Sequence, residues 1–362
     1  MKKITLRLFS WANIIVVVMM LAAGYAAGIN PVSHPYLSLF GFLFPAFLTM
    51  NLAFIAFWLF VSRIRLLIPV AGFLMAYSPV QWYSPTNVAE APPEGSLKVL
   101  TYNVLGFHSP EHPFEGAHPV LQYIERSGAD IICLQEYTRV ACQDSMWNIV
   151  DSIYPYHASV VSQGYVQTGG AEVAVYSKYP ITSYRNIDIY TRGNTVGAFT
   201  LDINGDSLYL VNAHLETIGF SPEEKQQFND MVRGRKESGE MRREARTMVS
   251  KLAESAKVRA PQADAIARYI SKHKGERMIV CGDLNDHPLS YVHHTIARGL
   301  TDCYRAAGRW PGFSFRYHSM YVRIDNIMCS EHWKPYRCEV DKSIDFSDHY
   351  PVYCFLYEEN SP

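Results

Sequence analysis

Six short runs of this chain each carry polar residues where an apolar run would otherwise continue. TYN closes on Asn103, LQE closes on Glu136, and NAHL carries His214. CGDLND supplies Asp283 and Asn285 with Asp286 beside them, VRIDNIM holds Asp325 inside an apolar run, and FSDHYPV sets Asp348 next to His349. One such residue beside a strand is ordinarily a satisfied turn or core group. Four carboxylates (Glu136, Asp283, Asp325, Asp348), two imidazoles (His214, His349) and two carboxamides (Asn103, Asn285) at the ends of different strands are another matter. Strand ends and loops held by a rigid scaffold are where function collects. Carboxylate and carboxamide oxygens without thiolates suit a hard cation, Mg²⁺ or Mn²⁺, over zinc. The sequence contains no HExxH, no P-loop and no GxSxG, so zinc-protease, nucleotide-loop and serine-hydrolase readings lack their motifs. A cation, a carboxylate to orient or deprotonate water, an amide donor and imidazoles together are what hydrolysis of a phosphoester requires.

Strands must carry these groups. LKVLTYNVLGF, ADIICLQEY, AEVAVYSKYPI, RMIVCGDLND and HYPVYCFLY alternate or run continuously apolar and are rich in Val, Ile and Tyr, as half-buried or fully buried strands are. Asn204-Gly205 between two such runs marks a tight hairpin. Helical patterns intervene at HPVLQYIERSGA and QADAIARYISKHK. Strands in this number, mixed with helices, predict a mixed sheet or sandwich covered by helices. The segment 217–260 reads as an insertion, with ten Lys or Arg from Lys225 to Arg259 and seven acids from Glu223 to Glu254. Interspersed signs make it a solvated helix face first and a surface for phosphate, lipid headgroups or nucleic acid second.

Upstream the chain changes character. No Asp, Glu, Lys or Arg occurs between Arg7 and Arg63. That gap holds two stretches of membrane-spanning length, residues 8–27 and 37–60, separated by INPVSHPY with its two prolines. A third, shorter apolar stretch, 66–83, ends in Trp82 and Tyr83, residue types suited to a membrane interface. Residues 1–83 therefore read as a membrane anchor of about three transmembrane helices, 84–96 as a Pro-, Ala- and Glu-rich linker, and 97–362 as the soluble catalytic domain. Lys2, Lys3, Arg7, Arg63 and Arg65 flank the spans on one side, which predicts a cytoplasmic N-terminus in the inner or plasma membrane and, after three crossings, an extracytoplasmic catalytic domain. All seven cysteines lie in the soluble part without CxxC or Cys/His spacing, and several sit in apolar runs where a small buried hydrophobe is expected. The formal net charge of −1 points to no polyanionic partner.

Taken in order, TYNV, LQE, NAHL, GDLN, RIDNI and SDHYPV resemble the motifs of the endonuclease/exonuclease/phosphatase (DNase I-like) superfamily. Its members include DNase I-like nucleases, apurinic endonucleases, inositol-polyphosphate 5-phosphatases and neutral sphingomyelinases. The resemblance covers about residues 96–358, with GDLN and SDHYPV its most specific parts. It implies a four-layer αββα sandwich of the α/β class, here preceded by a bundle of transmembrane helices, with the site at one end of two packed sheets. It implies a Mg²⁺ or Mn²⁺ ion at Glu136 with Asn103 and Asp348 close by, Asp283 positioning or activating water, and Asn285 holding that water or the phosphate. His214 matches a phosphate-contacting histidine, and His349 is paired with Asp325. Some nucleases of the family carry an acid two residues after the first-motif Asn; Leu105 stands there in this chain, which favours Glu136 as ligand and a single metal. The expected activity is metal-dependent hydrolysis of a phosphoester by water, on nucleic acid or on a phospholipid. Sphingomyelinase-type or phosphoinositide-type lipid hydrolysis is an alternative within it. A non-catalytic membrane-bound binding protein on the same fold would not need every motif position filled, and a transporter would need more polar residues in its spans than Asn13 and Asn51.

Overall fold

Alternation along the strands decides which side chains meet in the middle of this molecule. The structure, a computed structural model, describes residues 3–108, 114–139, 143–162, 172–232, 235, 238–317 and 320–358. In chain order the strands are β1 (Leu97–Asn103), β2 (Ile131–Tyr137), β3 (Tyr156–Val161), β4 (Glu172–Ser177), β5 (Ile181–Asn186), β6 (Val196–Ile203) and β7 (Asp206–His214). They are followed by β8 (Met278–Asp283), β9 (Thr301–Asp302), β10 (Phe315–Tyr317), β11 (Met320–Val322), β12 (Asp325–Cys329), β13 (Trp333–Val340) and β14 (Val352–Glu358). Two six-stranded sheets result, ordered β13-β14-β1-β2-β4-β3 and β5-β6-β7-β8-β12-β9, with β10 and β11 paired apart from both. The β1/β2 and β7/β8 pairs are parallel, and each sits among antiparallel neighbours. Asn204 and Gly205 turn β6 into β7 with φ of 56° and 98°, the left-handed pair that a two-residue hairpin demands.

Successive residues on a strand face opposite ways, and three apolar layers follow from that rule. Val99, Cys133, Leu210, Ile279 and Ile327 meet between the sheets. Leu100, Tyr102, Ile132 and Leu134 turn outward on the first sheet and are covered by helices Pro119–Arg126 and Asp144–Ile153 through Leu121, Ile124, Trp147 and Val150. Val211, Val280 and Met328 do the same on the second sheet, under Ala263, Ile266 and Ile270 of helix Ser238–Lys272 and Val292 of helix Tyr291–Ile296. The order is helix, sheet, sheet, helix, the four-layer sandwich expected from the motifs. The earlier part of the insertion forms helix Pro222–Val232, and its later part joins the following helical pattern in one helix, Ser238–Lys272, which runs on through Pro261. Cys133, Cys281, Cys303, Cys329, Cys338 and Cys354 are buried free thiols that pack between the sheets; Cys142 lies outside the described residues.

One polar contact joins the two sheets across their apolar interior. Gln135 of β2 donates to Asn212 Oδ1 of β7 at 2.7 Å and to Thr101 Oγ1 at 3.0 Å. Asn212 returns two bonds, to the carbonyls of Leu134 and Ala174, both at 3.0 Å. All three side chains are fully buried.

Two N-terminal helical segments, Lys3–Gly24 and Pro35–Val61, are long and apolar enough to cross a membrane, and 17% of the apolar window of each is buried. That exposure distinguishes them from core helices. They run antiparallel: Phe9 stacks on Phe57 with centroids 5.0 Å apart, and Phe44 packs with Met20 and Ala23 at the other end. Between these levels Asn13 donates to Asn51 at 3.1 Å and accepts from Trp58 Nε1 at 3.1 Å, so the polar side chains of the spans satisfy one another. The expected third span is not one helix. Residues 67–83 form two, Leu67–Met75 and Tyr77–Tyr83, broken at Ala76. Pro79 has no N–H to offer the carbonyl of Met75, and Tyr25 Oη donates to that carbonyl instead, at 2.8 Å. The broken segment still returns along the bundle, with Arg65 over Trp58, Gly72 against Val17 and Pro79 against Gly24. It ends on the sandwich, where Trp82 packs on His293 and His294. The linker is docked as well: Asn87 donates to the carbonyls of Arg305 and Gly308, each at 2.9 Å.

Asn212→Leu would take one acceptor from Gln135, which keeps its bond to Thr101, and the side-chain donor from two buried carbonyls; unmet buried polar groups of this kind cost about 2–4 kcal/mol in total. Denaturant unfolding of the purified protein should show a loss of that size.

Candidate active site

The interior rows of the sandwich turn polar at one end. On β1 the inward side chains are Val99, Thr101 and Asn103; on β8 they are Ile279, Cys281 and Asp283; on β12, read from the other end, Cys329, Ile327 and Asp325. On β7 the row Leu208, Leu210, Asn212 finishes at His214, which lies in register with Asp283. Asp325 is in register with Asp283 from the other side. Backbone hydrogen bonding alone therefore brings three of the predicted residues side by side.

Glu136 and Asn285 depart from that alternation. A register irregularity between Gln135 and Tyr137 goes with φ of 50° at Glu136, and Asn285 has φ of 51°. Left-handed backbone at non-glycine residues is uncommon and concentrates at functional sites. Gly282 is required for a different reason: its φ is 131°, and a Cβ there would overlap the carbonyl oxygen of Ala213. Without glycine, β7 and β8 could not approach closely enough to set His214 beside Asp283.

The contacts are specific. Asn103 Nδ2 donates to Glu136 Oε1 at 3.2 Å and to Asp283 Oδ2 at 3.1 Å, while its Oδ1 accepts from the Leu105 N–H at 3.1 Å. In this arrangement Asn103 bridges the two carboxylates. Asp283 Oδ1 accepts from the Asn285 N–H at 2.8 Å, and the Asn285 amide donates to the carbonyl of Leu215 at 2.9 Å. His349 Nδ1 is 2.8 Å from Asp325 Oδ2, leaving Nε2 to face Asp283 Oδ2 at 3.6 Å. His214 Nε2 stands 3.7 Å from Glu136 and 3.8 Å from Asp283, and neither of its ring nitrogens has a hydrogen-bond partner among the described residues. Asp348 is near enough for its charge to be felt at Glu136, and its Oδ1 is also buried without a partner among the described residues. All eight predicted residues gather at this one end. Asp286 does not join them; it forms a buried pair with Arg259 at 3.2 Å.

Burial sets the protonation. It raises the carboxyl of Asp283 to about 6 in spite of the facing His349 charge, and it raises Glu136 against the hydrogen bond from Asn103. His214 is lowered by the same burial. Burial also opposes charge on His349, but the carboxylates of Asp325 and Asp283 and the bond to Asp325 overcome it and raise the ring to about 10. Ligand atoms of Asp283, Asp325 and His349 lie within 4.8 Å of one another, with His349 Nδ1 turned to Asp325 and Nε2 facing Asp283. The donor set that fits a hard cation is oxygen: Glu136, raised by unfavourable burial, and Asp348 with its orphan oxygen, both anionic groups that a divalent ion would stabilise.

Three further residues support the site: Ser347, inside the SDHYPV run, and Ser314 and Lys225, which lie outside every motif. Ser347 Oγ donates to the Asn103 carbonyl at 2.8 Å and accepts from the His349 N–H at 3.1 Å. Ser314 Oγ accepts from the N–H groups of Ile324 and Asp325, both at 3.1 Å. Lys225, from the charged insertion, places Nζ 3.9 Å from Asp348 Oδ2 and 4.2 Å over the Tyr317 ring. The basic run of the insertion was its one sequence signal.

Residues 100–349 match the model of the Endonuclease/Exonuclease/phosphatase family, and residues 6–83 match a domain of unknown function (DUF8431). The endonuclease/exonuclease/phosphatase from Beutenbergia cavernae is 17% identical with a TM-score of 0.51, over 73% of this chain and 72% of its own. The human Nocturnin catalytic domain with bound sulfate anion is 16% identical with a TM-score of 0.51, over 75% of this chain and 100% of its own. Sphingomyelinase C from Streptomyces griseocarneus is 19% identical with a TM-score of 0.47, over 72% and 99%. At such identities the likeness is one of fold. No curated protein matches the sequence.

Glu136→Gln should weaken Mn²⁺ binding by at least about tenfold, read as free Mn²⁺ by electron paramagnetic resonance. Unchanged binding would move the ion away from Glu136.

Proposed function

The chain belongs to the endonuclease/exonuclease/phosphatase family, and on that premise we propose that it is a membrane-anchored phosphoesterase using a divalent metal and water. The observation that carries this reading is the buried Asp325–His349–Asp283 line, a cationic imidazole held by one carboxylate and turned toward another. Asp283, with its carboxyl held at about 6, is matched to take a proton from water near neutral pH. The Asn285 N–H fixes one oxygen of that carboxylate, so the other faces the reacting centre. His349 presents an N–H and a positive charge to the phosphoryl oxygens, where charge builds in the transition state. Asp325 fixes the ring tautomer and orientation. His214, buried with unmet nitrogens, meets the phosphate from the second sheet. Glu136, with Asp348 and Asn103 nearby, would hold Mg²⁺ or Mn²⁺, which when bound neutralises the phosphate and the leaving oxygen. The reading covers phosphoester bonds of nucleic acids and of lipids alike.

We further propose that residues 97–362 lie outside the cytoplasm. Arg65 stacks on Trp58, at the end of the bundle that also holds the N-terminus, whereas Phe44, Gly24 and Trp82 mark the end that meets the sandwich. Basic residues favour the cytoplasmic side, which puts the sandwich on the other.

EDTA should abolish phosphoester hydrolysis and Mg²⁺ or Mn²⁺ restore it, and Asp283→Asn should lower kcat by about 10²–10⁴ with an unchanged circular dichroism spectrum. Turnover near that of the wild type in the variant would remove Asp283 from the mechanism. Protease added to intact cells should digest the domain; full protection would place it in the cytoplasm.

A further inference from the structure

Beside the carboxylates lies a cavity of about 610 Å³ whose surface is mostly apolar. Its floor is Glu136, Asp283, Asp348 and His349, so it opens directly onto the atoms described above. One wall is the charged insertion turned inside out: Phe228 and Met231 of helix Pro222–Val232, with Met248, Val249 and Leu252 of helix Ser238–Lys272. The facing wall is Phe315, Met320, Tyr321 and Val322 of β10 and β11. The insertion's polar residues thus take its outer face, and its apolar residues line a chamber.

The chamber also has a wall from outside the sandwich. Phe42, in the first part of the second long apolar segment, lines it and packs on His287 with ring centroids 4.2 Å apart. A smaller cavity of about 90 Å³ shares Phe42, His287, Tyr321 and Val322 with the first and extends to Pro45 and Tyr83. Pro45 lies in the first turn of helix Phe44–Val61, and Tyr83 closes helix Tyr77–Tyr83. The two cavities thus lie between these helix ends and the floor where a phosphate would sit.

We propose, resting on the phosphoesterase reading, that the substrate is a membrane lipid phosphoester. Its phosphate is held over Asp283 and Lys225, and its hydrocarbon chain lies in the chamber, entering past Phe42. A nucleic-acid groove has the opposite make-up, with cations along a backbone track and aromatic faces for bases. Among the described residues Lys225 is the single Lys or Arg that lines this cavity, while methionine and aliphatic side chains, which adapt to a flexible chain, make much of the wall.

The test uses the full chain in nanodiscs, with Asp283→Asn to prevent turnover, and ethyl, hexyl and dodecyl phosphate as probes displacing a pyrene-labelled alkyl phosphate. Each methylene taken from water is worth up to about fourfold in affinity, so dodecyl phosphate should bind at least about tenfold tighter than hexyl. Ala245→Trp, which fills the chamber from the insertion helix, should erase that gain while leaving ethyl phosphate within about twofold. Val249→Asp, at a half-exposed position, should erase it without added bulk. Equal affinity along the series, a gain that survives both substitutions, or tighter competition by an oligonucleotide than by dodecyl phosphate would overturn the lipid assignment. Hydrolysis of ethyl and dodecyl 4-nitrophenyl phosphate by the unsubstituted protein separates the two readings. Turnover of both at equal rates leaves the phosphoesterase standing and removes the lipid. Chain-dependent binding with no turnover of either removes the phosphoesterase.

Discussion

Four carboxylates gathered at one end of a β-sandwich repel one another and resist burial, and nearly every feature of this end of the molecule answers that cost. Asp283 is the extreme case, fully buried between registers that fix His214 on one side and Asp325 on the other. His349 is kept cationic by two of the acids it faces. Asn103 bridges Asp283 to Glu136 with one amide nitrogen, and Ser347 holds both Asn103 and His349 by the backbone. Lys225 approaches Asp348 from a helix far away in the chain. One imidazolium and one ammonium do not balance four acids, and the deficit is the physical argument for a divalent ion.

The rows of alternating residues explain why so much of this was legible beforehand. A run such as Leu-x-Val-x-Thr-x-Asn cannot hide its last member in an apolar interior, so Asn103, Asp283 and Asp325 announced an interior that ends wet. The hairpin at Asn204-Gly205 and the helices over each sheet followed from equally local rules. What stayed hidden depends on distance in the chain. Nothing near Gln135 or Asn212 says that they meet each other across the sandwich, and Ser314 and Ser347 look like ordinary turn residues. The insertion misled in part: its charges described its outer face truly and concealed the apolar one. In the third apolar stretch hydropathy was visible but the break was not, because what makes it tolerable is Tyr25, fifty residues away.

The N-terminal helices are more than a tether. Arg323, buried, donates to the carbonyls of Trp82 and Pro311 and lies over the ring of Tyr304 at 4.2 Å. Two residues later comes Asp325. Gly41 fits against His287, where a Cβ would lie 2.5 Å from the ring, and Asn30 donates to Tyr291 at 3.4 Å. The N-terminal helices therefore meet the sandwich close to site residues, Arg323 near Asp325 and His287 near Asn285. Cutting the two apart would remove neighbours from the site.

The six buried thiols between the sheets have a consequence for the lifetime of the protein. Cys303 and Cys329 have sulfurs 3.7 Å apart in a wholly reduced core, protected because no oxidant reaches them. In an oxidising compartment that protection lasts only as long as the fold does. Global opening exposes every thiol at once, and disulfides formed among them would cross-link strands that must slide past one another to repack. Each full unfolding event then becomes a one-way exit, so persistence is governed by how rarely the sheets part and not by how favourable the closed state is.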